Sequence, residues 1–190
     1  MKRGNLIVLS GPSGVGKGTL VARLLQHMPD NVWVSVSATT RQPRVGEEDG
    51  VHYFFIDQDR FDEIVAQDGF IEWANVHGNC YGTPRAKVEE HMAQGFQVIL
   101  EIDVQGALQV REKMPEAKLV FVLPPDLEQL EMRLRGRGTD SEEVIDRRLR
   151  NAHMELSLEK EYDFSIVNDD VERATNELIA YINALSAEVE

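Results

Sequence analysis

Residues 6–20 read Leu-Ile-Val-Leu-Ser-Gly-Pro-Ser-Gly-Val-Gly-Lys-Gly-Thr-Leu, and this stretch restricts the fold more than any other in the chain. The apolar run Leu6, Ile7, Val8 and Leu9 predicts a buried strand, and Leu20, Val21, Leu24 and Leu25 follow at helical spacing. Between them lies Gly11-Pro12-Ser13-Gly14-Val15-Gly16-Lys17. Strand, glycine-rich turn and helix in that order predict a phosphate-binding loop. Gly11, Gly14 and Gly16 let amide N–H groups approach an anion closely. The helix start adds unpaired donors and a positive dipole end, and Lys17 reaches the outer phosphates as a point charge. The usual pattern continues with Ser or Thr, whose hydroxyl sits on magnesium; here Gly18 intervenes before Thr19. Direct Mg²⁺ ligation from the loop is therefore in question, while Thr19 is still placed to touch phosphate.

At 190 residues and 42% hydrophobic, the chain fits one compact domain with small inserted lobes. No apolar run approaches the ~20 residues that span a bilayer, so no membrane partner is expected. Met1-Lys2-Arg3-Gly4 enters the first strand directly, which predicts no signal peptide and a cytoplasmic protein. The net charge of -13 argues against nucleic acid as a partner, which needs a basic surface, but leaves room for a small anion held by clustered arginines. Cys80 is the single cysteine, excluding an intrachain disulfide; a packed residue is expected rather than a nucleophile. The five histidines are scattered, and His77 with Cys80 lacks further partners at zinc-ligand spacing.

Further along, Val32–Val36 reads as a second strand, followed by a polar loop that carries Ser37, Arg41 and Arg44. His52–Ile56, with Tyr53, reads as a short strand, and Asp57 as the cap of a helix to about Gln67. Phe70–Ala74 reads as a strand with one acid, Glu72, among apolar neighbours. A hairpin turn and return strand follow over His77–Gly82, including Tyr81, and then Thr83-Pro84 opens a helix as N-cap and first-turn proline. Strong strands are expected at Phe96–Asp103, Lys118–Leu123 and Tyr162–Val167. Glu101 and Asp103 end the first of these on one face. At the carboxyl edge of a parallel sheet they are placed to hold Mg²⁺ through its waters, although Asp103 fits equally as the cap of a helix from Val104. A helix from Asp126 leads to a glycine-broken turn, an Asp140-x-x-Glu143 capping pattern and a helix to about Lys160. Arg133, Arg135, Arg137, Arg147, Arg148 and Arg150 crowd this region; they either pair with nearby acids or arm a flap over phosphates. Asn168 can bond a base or cap the last helix, expected from Val171 to about Leu185.

Alternating strands and helices predict an α/β doubly wound parallel sheet. The motifs together resemble the guanylate kinases over about Gly4 to Leu185. The resemblance rests on Leu-Ser-Gly-Pro-Ser-Gly-Val-Gly-Lys, Ser-Ala-Thr-Thr-Arg-Gln-Pro-Arg, Gly-Val-His-Tyr-Phe-Phe, Tyr-Gly-Thr-Pro, Glu-Ile-Asp-Val-Gln-Gly-Ala and Arg-Gly-Arg-Gly-Thr. It implies a P-loop core over 1–36, 84–125 and 160–190, a small α+β lobe for the nucleoside monophosphate over 37–83 and a helical lid over 126–159. It implies ATP as phosphoryl donor, GMP or dGMP as acceptor and Mg²⁺ as cofactor; homo-oligomerisation stays open. Under it, Gly11 to Thr19 with Asn168 and Asp169 face ATP. Arg41, Arg44, Tyr53 and Tyr81 clamp the GMP phosphate, and Ser37, Glu72 and Thr83, next to Gly82, read guanine. Glu101 and Asp103 lie near GMP, with Asp103 near the metal through water. Lys17, Arg44, Arg137 and Arg148 carry catalysis.

Overall fold

A computed structural model describes residues 2–76, 78–136 and 141–188. The run that opens the loop motif forms strand β1 (Leu6–Ser10), buried along its whole length. It is the middle strand of a sheet whose other members are β2 (Val32–Val34), β7 (Gln97–Glu101), β8 (Lys118–Leu123) and β9 (Phe164–Val167), in the order β2-β7-β1-β8-β9. Every pairing is parallel, with Leu9 opposite Glu101 on one side and Ser10 opposite Phe121 on the other.

Strand alternation sends each apolar run to two layers. Ile7, Leu9, Ile99, Val120 and Val122 face a layer made by α1 (Lys17–His27), α5 (Leu127–Gly136), α6 (Glu142–Leu156) and α7 (Val171–Glu188). Leu6, Val8, Val98, Leu100 and Leu119 face α3 (Arg85–Ala93) and α4 (Val104–Lys113). Fully burying a side chain of this size is worth about 1.5–3 kcal/mol, so the two layers hold the sheet from both faces. The chain leaves β1 over α1 toward β2, and leaves β7 over α4 toward β8, on the opposite face. These crossovers diverge between β1 and β7, and a crevice opens at the carboxyl ends of that pair.

A second sheet, in the order β4-β3-β6-β5, contains β3 (Ala38–Thr39), β4 (Phe54–Phe55), β5 (Phe70–Val76) and β6 (Asn79–Pro84). With α2 (Gln58–Ala66) it encloses a small cluster of Ala38, Phe61, Phe70 and Cys80, so the cysteine is a packing residue. Strand β5 joins the two cores. Phe70 and Trp73, three residues apart, both meet the Phe61 ring, at 4.6 and 6.2 Å between centroids, because the β5–β6 register shifts between them. That irregularity frees Ile71 for the main core and turns Glu72 toward Thr83.

Several sequence boundaries move. The second strand stops at Val34, the tyrosine-bearing strand shrinks to Phe54–Phe55, and the fifth runs on to Val76. Thr83 and Pro84 do not begin a helix: they end β6, and Pro84 stands at the N-cap of α3. The last strand starts at Phe164 rather than Tyr162, and α6 ends at Leu156, before a short 3-10 turn over Glu159–Glu161. Ser141 occupies the N-cap of α6 without a side-chain bond; Asp140 and His77 lie outside the described residues. Asp57 caps α2 as expected, accepting from the Arg60 N–H at 2.8 Å. No helix among the described residues is long and apolar enough to cross a membrane.

Candidate active site

The turn after β1 enters α1 through Gly16, whose backbone is left-handed at φ 99°. A side chain there would be strained, and its Cβ would stand 2.5 Å from the Asn168 amide nitrogen. The first N–H groups of α1 have no intrahelical carbonyl to meet, so they face the crevice as donors. Lys17 folds back over the loop and donates to the carbonyls of Gly11 at 2.6 Å and Pro12 at 3.2 Å. Arg148 on α6 reaches Ser13 Oγ at 3.3 Å, whereas Arg147 beside it is exposed.

The far side of the loop is braced. Asn168 Nδ2 donates to Val15 O at 2.8 Å, and Arg133 donates to Val15 O at 3.2 Å and to Asn168 O at 2.8 Å. The Asn168 amide is thus spent on the loop, and capping of α7 falls to Asp170, which accepts from the Arg173 N–H at 2.9 Å. Asp169 accepts from Arg173 Nε at 2.8 Å. Of the remaining arginines, Arg135 pairs with Glu131 and Glu142, the surface pairing that sequence left open, and Arg150 is exposed. Arg137 lies outside the described residues.

Across the crevice a cavity of about 400 Å³ is lined by Ser37, Arg41, Arg44, Glu47, Tyr53, Glu72, Tyr81, Glu101 and Asp103, among others. Arg41 lies over the Tyr53 ring, 5.4 Å from its centroid. Its guanidinium forks onto Glu47, at 2.8 and 3.0 Å, and the same carboxylate accepts from the Arg44 N–H at 2.7 Å. These donors, led by Arg41, hold the Glu47 carboxyl down at about 2. Glu47 was missed in sequence, where an acid three residues beyond Arg44 in a loop has no fixed facing. Glu72 is 7% exposed and accepts from the Thr83 hydroxyl at 2.6 Å. Burial pushes its carboxyl above the usual range, the Thr83 bond pulls it back, and the Asp103 charge adds to the rise. Thr83 is itself buried behind Glu72, and Gly82 is buried against the Phe70 ring. Asp103 is the N-cap of α4, accepting from the Gly106 N–H at 2.8 Å through one oxygen.

A second cavity of about 460 Å³ follows the loop itself, from Ser13 to Thr19, and is closed on one side by Glu101. A third of about 420 Å³ continues past Gly14, Gly16 and Thr19 to Arg133, Asn168 and Asp169. Glu101 borders both the first and second, and three loop residues border both the second and third, so the cavities are neighbours. Burial raises the Glu101 carboxyl and Lys17 pulls it back. Glu155 on α6, unnoticed in sequence, behaves alike: burial raises it, Lys17 lowers it and Asp103 raises it. Among the described residues no group of three or more His, Cys, Asp or Glu is arranged to hold a metal ion. A cation in this cleft would need oxygens from its ligand as well as from the acids.

Comparison with known proteins places this geometry. The family profile described as guanylate kinase matches residues 3–185. The guanylate kinase of Synechococcus sp. (strain CC9902) is 57% identical over 175 residues, covering 92% of this chain and 93% of that protein. The guanylate kinase of Streptomyces coelicolor is 54% identical over 183 residues, covering 96% and 92%. The crystal structure of guanylate kinase from Anaplasma phagocytophilum superposes with a TM-score of 0.74 at 35% identity, covering 96% of this chain and 86% of that one. Matched by the family profile over residues 3–185 and with relatives alike over nearly its whole length, the chain belongs to the guanylate kinase family.

Proposed function

We propose that this chain is an enzyme that moves the terminal phosphoryl group of ATP onto the phosphate of GMP or dGMP, releasing ADP and the nucleoside diphosphate. The observation that carries the reading is adjacency: a loop suited to phosphates and a cluster of arginines suited to a phosphate line neighbouring cavities that share Glu101. The amides from Gly14 to Thr19, with Lys17, take the ATP phosphates. The groove past Arg133, Asn168 and Asp169 takes the adenosine end, with Asn168 acting through its hold on the loop. Arg41, Arg44, Tyr53 and Tyr81 take the GMP phosphate, where planar guanidinium forks suit its oxygens. Ser37 and Glu72 read the base. Guanine presents N–H donors at N1 and the 2-amino group, and a carboxylate accepts both; adenine has an acceptor at N1 and leaves that carboxylate buried and mispaired. Thr83 orients Glu72.

In the reaction a GMP phosphate oxygen attacks the γ-phosphorus of ATP, the bond to the β–γ bridging oxygen breaks, and its electrons leave with ADP. No covalent intermediate on the protein is needed; positioning and positive charge carry the step. Arg44, Arg148 and, by the family pattern, Arg137 supply that charge around the transferred group. The acids of the cleft suit Mg²⁺ carried in on ATP: the second Asp103 oxygen is not used by its cap, and Glu101 accepts no hydrogen bond among the described residues. Bound there through its waters, Mg²⁺ would neutralise charge on the phosphates. We further infer that the lobe over 37–83 and the lid over 126–159 close on the 1–36, 84–125 and 160–190 core when both nucleotides are present, excluding water.

The test is a coupled ADP-release assay with AMP, GMP, UMP and dTMP. GMP is expected to exceed AMP by about 10⁴-fold in kcat/KM, with UMP and dTMP poor. Preference for AMP, or no ADP release with any of the four, would overturn the reading.

A further inference from the structure

Glu72 stands at a break in its own strand. Pairing between β5 and β6 runs from Phe70 opposite Pro84 to Trp73 opposite Gly82, so Ile71 and Glu72 together face Thr83 alone. A bulge of this kind re-aims a side chain and leaves ladder bonds unmade. Strand β5 is also the edge of its sheet, with no further strand along its outer side. An edge bulge held by nothing else is free to shift register, and such a shift would swing the Glu72 carboxylate away.

A helix of the main core takes the place of the missing strand. Gly106, Gln109 and Lys113 of α4 are spaced three and four residues apart and share one face. Gln109 accepts from the Trp73 N–H and donates to the Trp73 carbonyl, both at 3.2 Å. One amide thus meets both outward groups of a strand residue, as a neighbouring strand would. Lys113 donates to the Phe70 carbonyl at 3.1 Å and to Asp68 Oδ1 at 2.8 Å. Asp68 turns the chain into β5 at φ 51°, the one left-handed residue other than glycine among those described. The grips at Phe70 and Trp73 therefore flank the bulge on both sides. Gly106 completes the face: a Cβ built on it would stand 3.1 Å from Glu72 Oε2, so the carboxylate lies directly against the first turn of α4.

We propose that Gln109 and Lys113 are positioning residues for base selection: from α4 they hold the β5 bulge, and through it they set how Glu72 meets guanine. This rests on the base reading proposed above. Neither residue lines the cavity that holds Glu72, so both act through the strand. Their effect falls on one part of recognition. A carboxylate held square to the base accepts from N1–H and the 2-amino group together. One that can swing keeps a single bond by turning and loses the other. The quantity to measure is the preference for GMP over IMP, which lacks only the 2-amino group.

The experiment measures kcat/KM of the full chain for GMP and for IMP at saturating ATP and Mg²⁺. Wild type, Gln109→Met, Lys113→Met and Lys113→Arg are compared, each assayed well below its thermal midpoint. Wild type should prefer GMP by about 10–100-fold, the worth of one hydrogen bond to a charged group. Gln109→Met and Lys113→Met should each cut that preference about fivefold or more, with KM for ATP unchanged. Lys113→Arg, which can still donate to both partners, should restore it. Equal losses for GMP and IMP in the methionine variants, or no loss at all, would overturn the positioning role and leave the α4 contacts purely structural. Lys113→Arg losing as much preference as Lys113→Met would also overturn it. If wild type itself does not prefer GMP to IMP, the base reading of Glu72 falls and this role with it; a wild-type preference that the variants leave intact removes this role alone.

Discussion

Under the proposed function, one side chain, Glu72, turns burial into selectivity. Its carboxyl is 7% exposed, and burial, partly offset by the Thr83 hydroxyl, holds its folded-state pKa above the ordinary value. Ionised Glu72 therefore weighs against the folded protein increasingly as pH rises through that raised value, and the guanine N–H groups are suited to offset it. The functional consequence has the opposite direction. As pH falls from neutral through the raised value, the carboxyl takes up a proton and loses its second acceptor, so kcat/KM for GMP should drop. The GMP phosphate also titrates, near pH 6, so Glu72→Gln serves as the control that keeps only the phosphate limb. At neutral pH that variant should lose about 10–100-fold in kcat/KM for GMP, the worth of a hydrogen bond to a charged group. Superposable pH profiles for wild type and variant would remove Glu72 from the base site.

At the scale of elements, the loop between β3 and β4 depends on one acid. Glu47 forks onto the Arg41 guanidinium and accepts from the Arg44 backbone N–H, so a single carboxylate ties the loop at both arginines of the proposed clamp. Glu47→Gln loses the charged fork, and Arg41 keeps its bond to the Gln42 carbonyl and its contact with the Tyr53 and Phe55 rings. KM for GMP should rise roughly tenfold, with kcat and the KM for ATP changed far less. Binding of guanosine, which has no phosphate, should be unaffected; an equal loss for guanosine and GMP would mean that Glu47 merely supports the lobe. Held near 2, its carboxyl stays ionised at any working pH and adds no pH dependence of its own.

The same elements explain what could be read from the chain alone. Runs such as Leu6–Leu9 and Leu119–Val122 are apolar on both faces, and only a sheet covered on both sides accommodates them, so the parallel core and its loop were legible. Thr83 was not. Its capping signal is real, but its hydroxyl goes to the buried Glu72, eleven residues back, and the helix starts later. The two-residue strands Ala38–Thr39 and Phe54–Phe55 are too short to carry a period. Asn168 illustrates the limit for sites: its partner Val15 is 153 residues away, a juxtaposition that only the assembled sheet creates.

At the scale of the whole molecule, a chain of net charge -13 is proposed to gather two anions. It can do so because the crossovers diverge between β1 and β7. The α1 N-terminus and Lys17 line one cavity, and Arg41 and Arg44 line its neighbour, with Glu101 bordering both. Acidic surface elsewhere does not defeat this, since exposed charges beyond about 10 Å are screened by salt.

The most direct test of that convergence is binding of a bisubstrate molecule, adenosine and guanosine joined 5′ to 5′ through a pentaphosphate. One copy should bind per chain, displace ATP and GMP alike, and exceed the affinity of either nucleotide by about 10²-fold or more, because the second half binds intramolecularly. A compound that displaces only one of the two nucleotides, or that binds twice per chain, would contradict a shared cleft.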